Sequence, residues 1–474
     1  MSKFTTGVIW SGVERVLGQG INFIIGLVIA RQLFPEDYGV FGIISIIIAI
    51  SVIFVDSGFS TALIQKKNRD NNDYNTIFSF NFLTSIIVYL VIFFLAPFLA
   101  KFYSEPILIS STRITALIII INSVSIVHLT KLVVNLDFKK QSKISVTASL
   151  ISGIMGIILA YSGYGLWSLV LMTVLRSLIN TILLWNLTNW SPKIDFRLNR
   201  FKPLFSFSWK IMLTALINTI FSSLYVLVIG KKFSTILLGF YTRASQVTNF
   251  AVINFTDVIQ RVSFPMLSEL QDEIHLLVKN QRKLIITSSY ILFPILTLLY
   301  FISDSLIIII LTEKWLEAAW MIKLLCFASF LHPIHSLNLN LLNVIGRSDL
   351  FLKIEVLKKG LIIIILMITL TISLEAVLVG QIIVSILAFF INSYYVGILL
   401  NYNAFEQLKD IYKNILASLI LSLQIYNICL YVSSPILEIL ISSFSTVLTY
   451  IIISFIFKLK GFNFIKEKLY QFIR

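Results

Sequence analysis

An all-α integral membrane protein of about 14 transmembrane helices, built as two pseudo-symmetric six-helix lobes plus a C-terminal helix pair, is what this sequence predicts. Three observations carry that expectation. Hydrophobic residues make up 57% of the 474 and charged residues only 13%, with a mean hydropathy of +0.91, which excludes a soluble globular protein. Apolar stretches of about 20 residues, the length that crosses a bilayer, recur along the whole chain. The second half also echoes the first at a spacing of about 200 residues, Trp10 and Gly39 being answered by Trp209 and Gly239. The run Leu33-Phe34-Pro35-Glu36-Asp37-Tyr38-Gly39-Val40-Phe41 corresponds to Lys232-Phe233-Ser234-Thr235-Ile236-Leu237-Leu238-Gly239-Phe240-Tyr241, and Tyr103-Ser104-Glu105 to Leu311-Thr312-Glu313. Duplicated helical bundles are the usual build of a secondary transporter.

The apolar runs place helices at 7–33, 38–64, 76–100, 107–135, 144–162 and 165–188 in the first lobe (1–190). A cytoplasmic linker comes next at 191–203, part of a stretch with two prolines and four basic residues that lies along the membrane surface. The second lobe (204–400) takes 204–230, 237–265, 284–311, 317–344, 352–372 and 375–400, and the terminal pair (401–460) takes 411–431 and 434–458. In the tail, 461–474, Phe464, Ile465, Leu469 and Phe472 mixed with Lys466, Lys468 and Arg474 read as an interfacial amphipathic helix or, alternatively, a disordered basic tail. Only Lys3 precedes the first apolar stretch, which carries Glu14 and Arg15, so this helix is expected to be retained rather than cleaved as a signal. An even helix count puts both termini on one side. On that assignment 27 of the 38 Lys and Arg fall on the face holding the termini, among them Lys66, Lys67, Arg69, Arg197, Arg200 and Lys409. By the positive-inside bias that face is cytoplasmic. The net charge of +15 is then a signal of topology and of lipid headgroups, not of nucleic acid.

Little chemistry is on offer in the loops, none of which exceeds about twenty residues. No phosphate-cradling G-x-x-x-x-G-K-[ST] run is present, so ATP is not bound in that manner, and no cofactor is expected. Cys326 and Cys429 fall inside helices and give neither a disulfide framework nor a zinc spacing. His332 and His335 have Pro333 between them and no carboxylate or cysteine nearby, which argues against a metal. Glu36-Asp37 occupies a loop where membrane glycosyltransferases carry acidic residues. After Pro35, however, the pair reads as the N-terminal cap of the next helix.

The costly residues are the polar ones at membrane depth, each worth about 2.5–3.5 kcal/mol when ionisable and unpartnered. Ser11, Arg15, Gly18, Asn22 and Gly26 form one small and polar stripe on the first helix. Lys210, Thr214, Asn218 and Ser222 do the same on the seventh. The eighth carries Arg243, Gln246, Asn249, Asn254, Asp257 and Arg261, and the sixth Arg176 and Asn180. The fourth offers His128, Lys131 and Asn135, and the tenth His332, Ser336, Asn340 and Asn343. Two readings stay open. The stripes line a hydrophilic, cation-lined cavity between the lobes for an anionic substrate, with Arg15, Asn22, Arg176, Asn180, Lys210, Asn218, Arg243 and Asn249 as its residues. Or they are polar glue between helices. Glu14 and Asp257 are counter-ions to Arg15 and Arg261 or coupling groups. Asp56, placed near the external end of the second helix, is a further coupling candidate or a capping residue.

Several motifs stand out: Gly7-Val8-Ile9-Trp10-Ser11-Gly12-Val13-Glu14-Arg15, Ala30 to Gly39, Asp56-Ser57-Gly58-Phe59 with Ala62 to Lys67, Leu238 to Ala244, Val262-Ser263-Phe264-Pro265, Glu313-Lys314-Trp315 and Gly346-Arg347-Ser348-Asp349. Together they resemble the polysaccharide (Wzx-type) flippases, the polysaccharide-transporter branch of the multidrug/oligosaccharidyl-lipid/polysaccharide exporter superfamily. The resemblance covers roughly residues 3 to 400. It implies alternating access, with undecaprenyl-diphosphate-linked oligosaccharide moved across a bacterial inner membrane for O-antigen, capsule or exopolysaccharide synthesis. The implied partners are that substrate, membrane lipids, and a polysaccharide polymerase with its export machinery. One departure stands out: many relatives carry glycine where Thr312 stands. The alternatives are a lipid-II-type flippase, a multidrug exporter, whose cavity would be acidic rather than basic, and a membrane-embedded glycosyltransferase or polymerase, which the short loops disfavour.

Overall fold

The computed structural model describes the backbone of residues 3–464 and 466, and the side chains of 18–464 and 466 apart from 254, 261 and 262. The regular secondary structure of the described residues is helical, without strands. Eleven helical segments, with Leu108–Val134 and Glu317–Val344 each taken as one, are long and apolar enough to cross a membrane by length and composition. The chain divides into two compact units, Met1–Gly239 and Phe240–Arg474.

The first unit contains α1 (Lys3–Gln32), α2 (Pro35–Asp56), α3 (Phe59–Gln65), α4 (Asn71–Tyr103), α5 (Leu108–Thr115), α6 (Leu117–Val134), α7 (Phe138–Tyr161), α8 (Leu166–Leu187), α9 (Leu198–Lys232) and the first turn of α10 (Thr235–Ser268). In the second unit α10 continues and is succeeded by α11 (Ile274–Phe301), α12 (Ser303–Ile310), a 3₁₀ turn at Glu313–Trp315, α13 (Glu317–Ser329), α14 (His332–Val344), α15 (Ser348–Thr369), α16 (Leu374–Leu400), α17 (Ala404–Tyr431) and α18 (Pro435–Ile456). A helix stands at every position the apolar runs marked, but four of the expected single helices are broken. The one at 38–64 divides at Ser57 and Gly58, both with left-handed φ (49° and 77°). Those at 107–135, 284–311 and 317–344 divide at 116, 302 and 330–331. Polar residues or a proline lie at or beside each break (Asp56-Ser57-Gly58, Thr112-Arg113, Ser303-Asp304, His332-Pro333), but the apolar runs on both sides merge them into one expected span.

The repeat extends to backbone conformation. Ser104 after α4 and Thr312 after α12 both have positive φ (59° and 89°), and so do Leu136 after α6 and Gly346 after α14 (55° and 73°). Helix starts obey the capping rules. Pro35 opens α2, and Asp37 accepts from the Phe34 N–H at 3.0 Å, as expected for Glu36-Asp37. Its second oxygen accepts the Leu166 N–H of α8 at 3.0 Å, so one carboxylate caps two helices. Asp70 caps α4 through the Asp73 N–H, and Asp73 returns a bond to the Asp70 N–H.

Small residues set the close approaches, as is usual where lipid supplies no hydrophobic drive. In the first unit Gly153 and Gly156 of α7 lie against Ile25 of α1 and Met172 of α8. The tightest contact is reciprocal. A β-carbon on Gly39 of α2 would overlap the carbonyl of Thr235, and one on Gly239 would overlap that of Pro35. Around it Thr235 Oγ1 donates to Glu105 at 2.6 Å, and Lys231 to the Phe102 carbonyl. Equivalent positions of the sequence repeat, 200 residues apart, thus exchange the same contact. The second unit has its own core, where Phe293, Ile334, Leu337, Phe389, Val396 and Tyr402 are buried together.

Candidate functional site

In the first unit, α1, α6, α7 and α8 bring three of the sequence candidates together. Arg176 donates to Asn22 Oδ1 at 3.1 Å, tying α8 to α1. Arg176 and Asn180 also line a cavity of about 350 Å³ with Asn122, Gln141, Thr173 and Ser177. Ser177 donates to Asn122 at 2.5 Å, and the Gln141 Oε1 oxygen is buried without a hydrogen-bond partner among the described residues. Further along the α1 stripe the Gly26 carbonyl accepts from Tyr38 Oη at 3.3 Å, while Gly18 has open space beside it. Glu14 and Arg15 lie outside the described side chains, as do Ser11, Asn254 and Arg261.

The α9 stripe is different in kind. Lys210, Thr214, Asn218 and Ser222 are all exposed, while the helix packs through Leu204, Ser208, Leu216, Ile229 and Gly230. Thr214 and Ser222 satisfy their hydroxyls on the helix's own carbonyls. Of the four, Lys210 has an exposed ammonium without a hydrogen bond or ion pair among the described residues, on a helix apolar enough to span a membrane, and a polar group left unsatisfied in hydrocarbon costs several kcal/mol.

In the second unit Arg243 of α10 is buried, donates to Gln246 Oε1 at 2.5 Å, and lies 6.0 Å from the Trp315 ring centre. Asn249, two turns on, is exposed and donates to Ser245 at 3.0 Å. Asp257 is half-buried on the same helix.

Asp56 needs correction. It is the last residue of α2, at the end joined to the Lys66–Arg69 loop and opposite the Pro35 end, because α2 runs from the 33–34 turn toward that basic loop. There it accepts from Ser60 Oγ at 2.5 Å and from the Ser60 N–H at 3.2 Å, capping α3. His128 and Lys131 are structural: His128 Nδ1 meets Thr188 Oγ1 at 2.5 Å, and the Lys131 ammonium lies 4.4 Å from the Tyr74 ring centre. His335 has its ring nitrogens against Asn392 and Ser385, and Ser336 and Asn340 bond Gln260 and Ser263 of α10. Sequence reasoning missed Asn122 and Gln141. For Asn122 the available signal was a lone asparagine directly after the apolar run Leu117-Ile118-Ile119-Ile120-Ile121.

With this geometry in hand, the comparisons with known proteins fall into place. A multi-pass helical membrane protein with a duplicated element order is the class the fold defines. Residues 28–320 match the polysaccharide biosynthesis protein family, more than half of the chain, and the protein belongs to that family, in keeping with its Wzx-type flippase motifs. The chain is 26% identical over 300 residues to the teichuronic acid biosynthesis protein TuaB of Bacillus subtilis (63% of this chain, 62% of that one). It spans less than two thirds of that relative's length. It is 24% identical over 367 residues to the lipopolysaccharide biosynthesis protein WzxC of Escherichia coli (76% and 74%). It is 21% identical over 326 residues to the succinoglycan biosynthesis transport protein ExoT of Rhizobium meliloti (68% and 66%). Among solved structures, the lipid II flippase MurJ in an inward closed conformation superposes with a TM-score of 0.78 at 17% identity, covering 96% of this chain and 98% of that one. An inward-facing multidrug resistance MATE family transporter of the MOP superfamily gives 0.63 at 12% identity, over 80% and 95%. These likenesses are of fold.

Proposed function

We propose that the protein is a flippase carrying polyprenyl-diphosphate-linked oligosaccharide from the cytoplasmic to the outer leaflet of a bacterial inner membrane by alternating access, for synthesis of a cell-surface polysaccharide. The observation that carries this reading is the exposed polar stripe Lys210, Thr214, Asn218 and Ser222, on a helix that otherwise suits lipid. Family membership and the biosynthetic roles named for TuaB, WzxC and ExoT support it. Fourteen spans, six-helix lobes at 1–190 and 204–400, and cytoplasmic termini belong to the same proposal. So does the role of the acidic residues Glu14 and Asp257 as counter-ions or coupling groups.

The chemistry is set by the charge of the load. A diphosphate cannot enter hydrocarbon without replacing its hydration. In the first unit Lys210, Arg176 and Arg15 supply cations, and Asn22, Asn180 and Asn218 amide donors, for phosphate and sugar hydroxyls; in the second unit Arg243 and Asn249 supply the same groups. With the cell interior negative, outward movement of an anion is favoured by about 2.3 kcal/mol per charge per 100 mV, so transport needs no nucleotide hydrolysis and no sugar transfer. The test is reconstitution of the purified protein in liposomes carrying a fluorescent polyprenyl-diphosphate oligosaccharide, with lipid II as a second arm. Accelerated exposure of the oligosaccharide lipid without ATP is expected. Movement of lipid II alone, or none, overturns the proposal.

A further inference from the structure

A second cavity, of about 360 Å³, lies in the second unit where α11, α17 and the turn after α18 meet. It opens at the α17 end that carries basic residues, on the lysine-rich and arginine-rich face of the sequence. Its lining has four cations, Arg282, Lys409, Lys413 and Lys460, against two carboxylates, Glu406 and Asp410. The carboxylates are already engaged. Arg282 bonds Glu406 and stands 3.7 Å from Asp410, which also accepts from Tyr402 Oη at 2.9 Å. Lys413 donates to the Phe457 carbonyl at 2.9 Å. Lys409 and Lys460 are left exposed at the cavity, without a hydrogen bond or ion pair among the described residues.

The cavity is built rather than incidental. Lys458 has a left-handed φ of 49°, which turns the chain after α18 back across α11. Leu459 is buried, and Gly461 sits so close to Tyr290 that a β-carbon there would strike the ring. This reversal brings Lys460 to the cavity that Lys409 also lines. Beside the cavity the outer surfaces of α17 and α18 are apolar, with Leu416, Leu419, Phe455 and Ile456 all exposed, and Tyr412 lies at the boundary. Interfacial aromatics of this kind sit at headgroup depth. Positive charge at headgroup depth, next to a surface that takes acyl chains, recognises a lipid phosphate, and basic pockets between helices on the cytoplasmic side bind such headgroups.

We propose that this cavity binds the headgroup of an anionic glycerophospholipid of the surrounding membrane, with Lys409 and Lys460 grasping the phosphate and the acyl chains lying along α17 and α18. The site is separate from the transport residues and independent of the proposed substrate.

The experiment is native mass spectrometry of the delipidated full-length protein, titrated with phosphatidylglycerol, phosphatidylcholine, undecaprenyl phosphate or inorganic phosphate. The wild type is expected to favour phosphatidylglycerol over phosphatidylcholine. Lys409→Gln combined with Lys460→Gln should weaken phosphatidylglycerol binding about fivefold for each lysine removed and leave phosphatidylcholine binding unchanged. Lys409→Arg with Lys460→Arg should keep the preference, as should Lys193→Gln with Lys202→Gln, which removes the same charge elsewhere on that face. An undiminished preference in the glutamine variant, an equal loss in the Lys193 and Lys202 control, stronger binding of undecaprenyl phosphate, or competition by inorganic phosphate alone overturns the assignment.

Discussion

Replacing Lys210 by alanine separates transport from folding. Its side chain is exposed and has no hydrogen bond or ion pair among the described residues, so the loss should change stability by no more than about 0.5 kcal/mol. Its effect on an anion in a wet passage is larger. A unit charge about 4 Å from another is worth about 1 kcal/mol in bulk water and about 4 kcal/mol near a protein surface. A passage with mobile water falls toward the lower end, so the barrier for a passing phosphate should rise by about 1–2 kcal/mol. Flipping should slow by about five- to thirtyfold. Lys210→Arg should retain most activity, while Lys210→Glu replaces attraction by repulsion and should cost about twice as much as alanine. The assay is polysaccharide export in a strain lacking its own flippase, with the membrane level of each variant measured in parallel. Normal export by the alanine variant, equal defects for alanine and glutamate, or a defect that tracks protein loss would refute a role for this charge.

Other predictions rest on different parts of the chain. Asp73 has a fully buried side chain and is paired with Lys66 at 2.6 Å and Arg200 at 3.8 Å. Asp73→Ala should destabilise the detergent-solubilised protein by about 2–3 kcal/mol, below the usual range for a broken buried pair because both cations keep some water access; an unchanged melting temperature would show that the linker does not depend on this pair. Thr312 occupies φ 89°, ψ 166°, a region costly for any residue but glycine, so Thr312→Gly should raise stability by about 1 kcal/mol after glycine's own entropic cost, read by thermal unfolding. Arg176→Ala should lower both export and protein level, since it loses the Asn22 bond as well as a cation, and export surviving at normal abundance would remove it from the route. For topology, cysteines at Asn71 and Arg197 should be shielded from an impermeant thiol reagent in intact cells while one at Lys314 reacts, and labelling of Arg197 and Lys314 from the same side would break the helix count.

Helix positions were legible because a bilayer demands long apolar runs, and the caps because Pro35-Glu36-Asp37 and Asp70 carry their own signatures. Helix breaks were not. Ser57-Gly58 separates α2 from α3 through backbone conformation, and the short polar run Asp56-Ser57-Gly58 is outweighed by the apolar residues on either side of it. Polar stripes were legible as periodic exceptions within apolar helices, yet periodicity cannot say what a stripe faces. On α1 the described part turned toward Arg176 and Tyr38, and on α9 it turned outward. Asn122 and Gln141 escaped because each is single on its helix face, and their meeting beside Arg176 depends on the packing of α6, α7 and α8.

The reciprocal contact of Gly39 and Gly239 has the form of an isologous dimer interface, drawn within one polypeptide. In a homodimer a substitution strikes both sides of the dyad at once, so such an interface evolves under a self-complementarity constraint. Here the two sides differ in sequence beside the glycines, Pro35-Glu36-Asp37 on one and Thr235-Ile236-Leu237 on the other, with no residue in common. Where each β-carbon position is filled by the opposing carbonyl, the two glycines remain. The junction can therefore be altered on one side alone, an operation closed to any true dimer: Gly39→Ala would wedge against the Thr235 carbonyl while Gly239 itself stays unchanged.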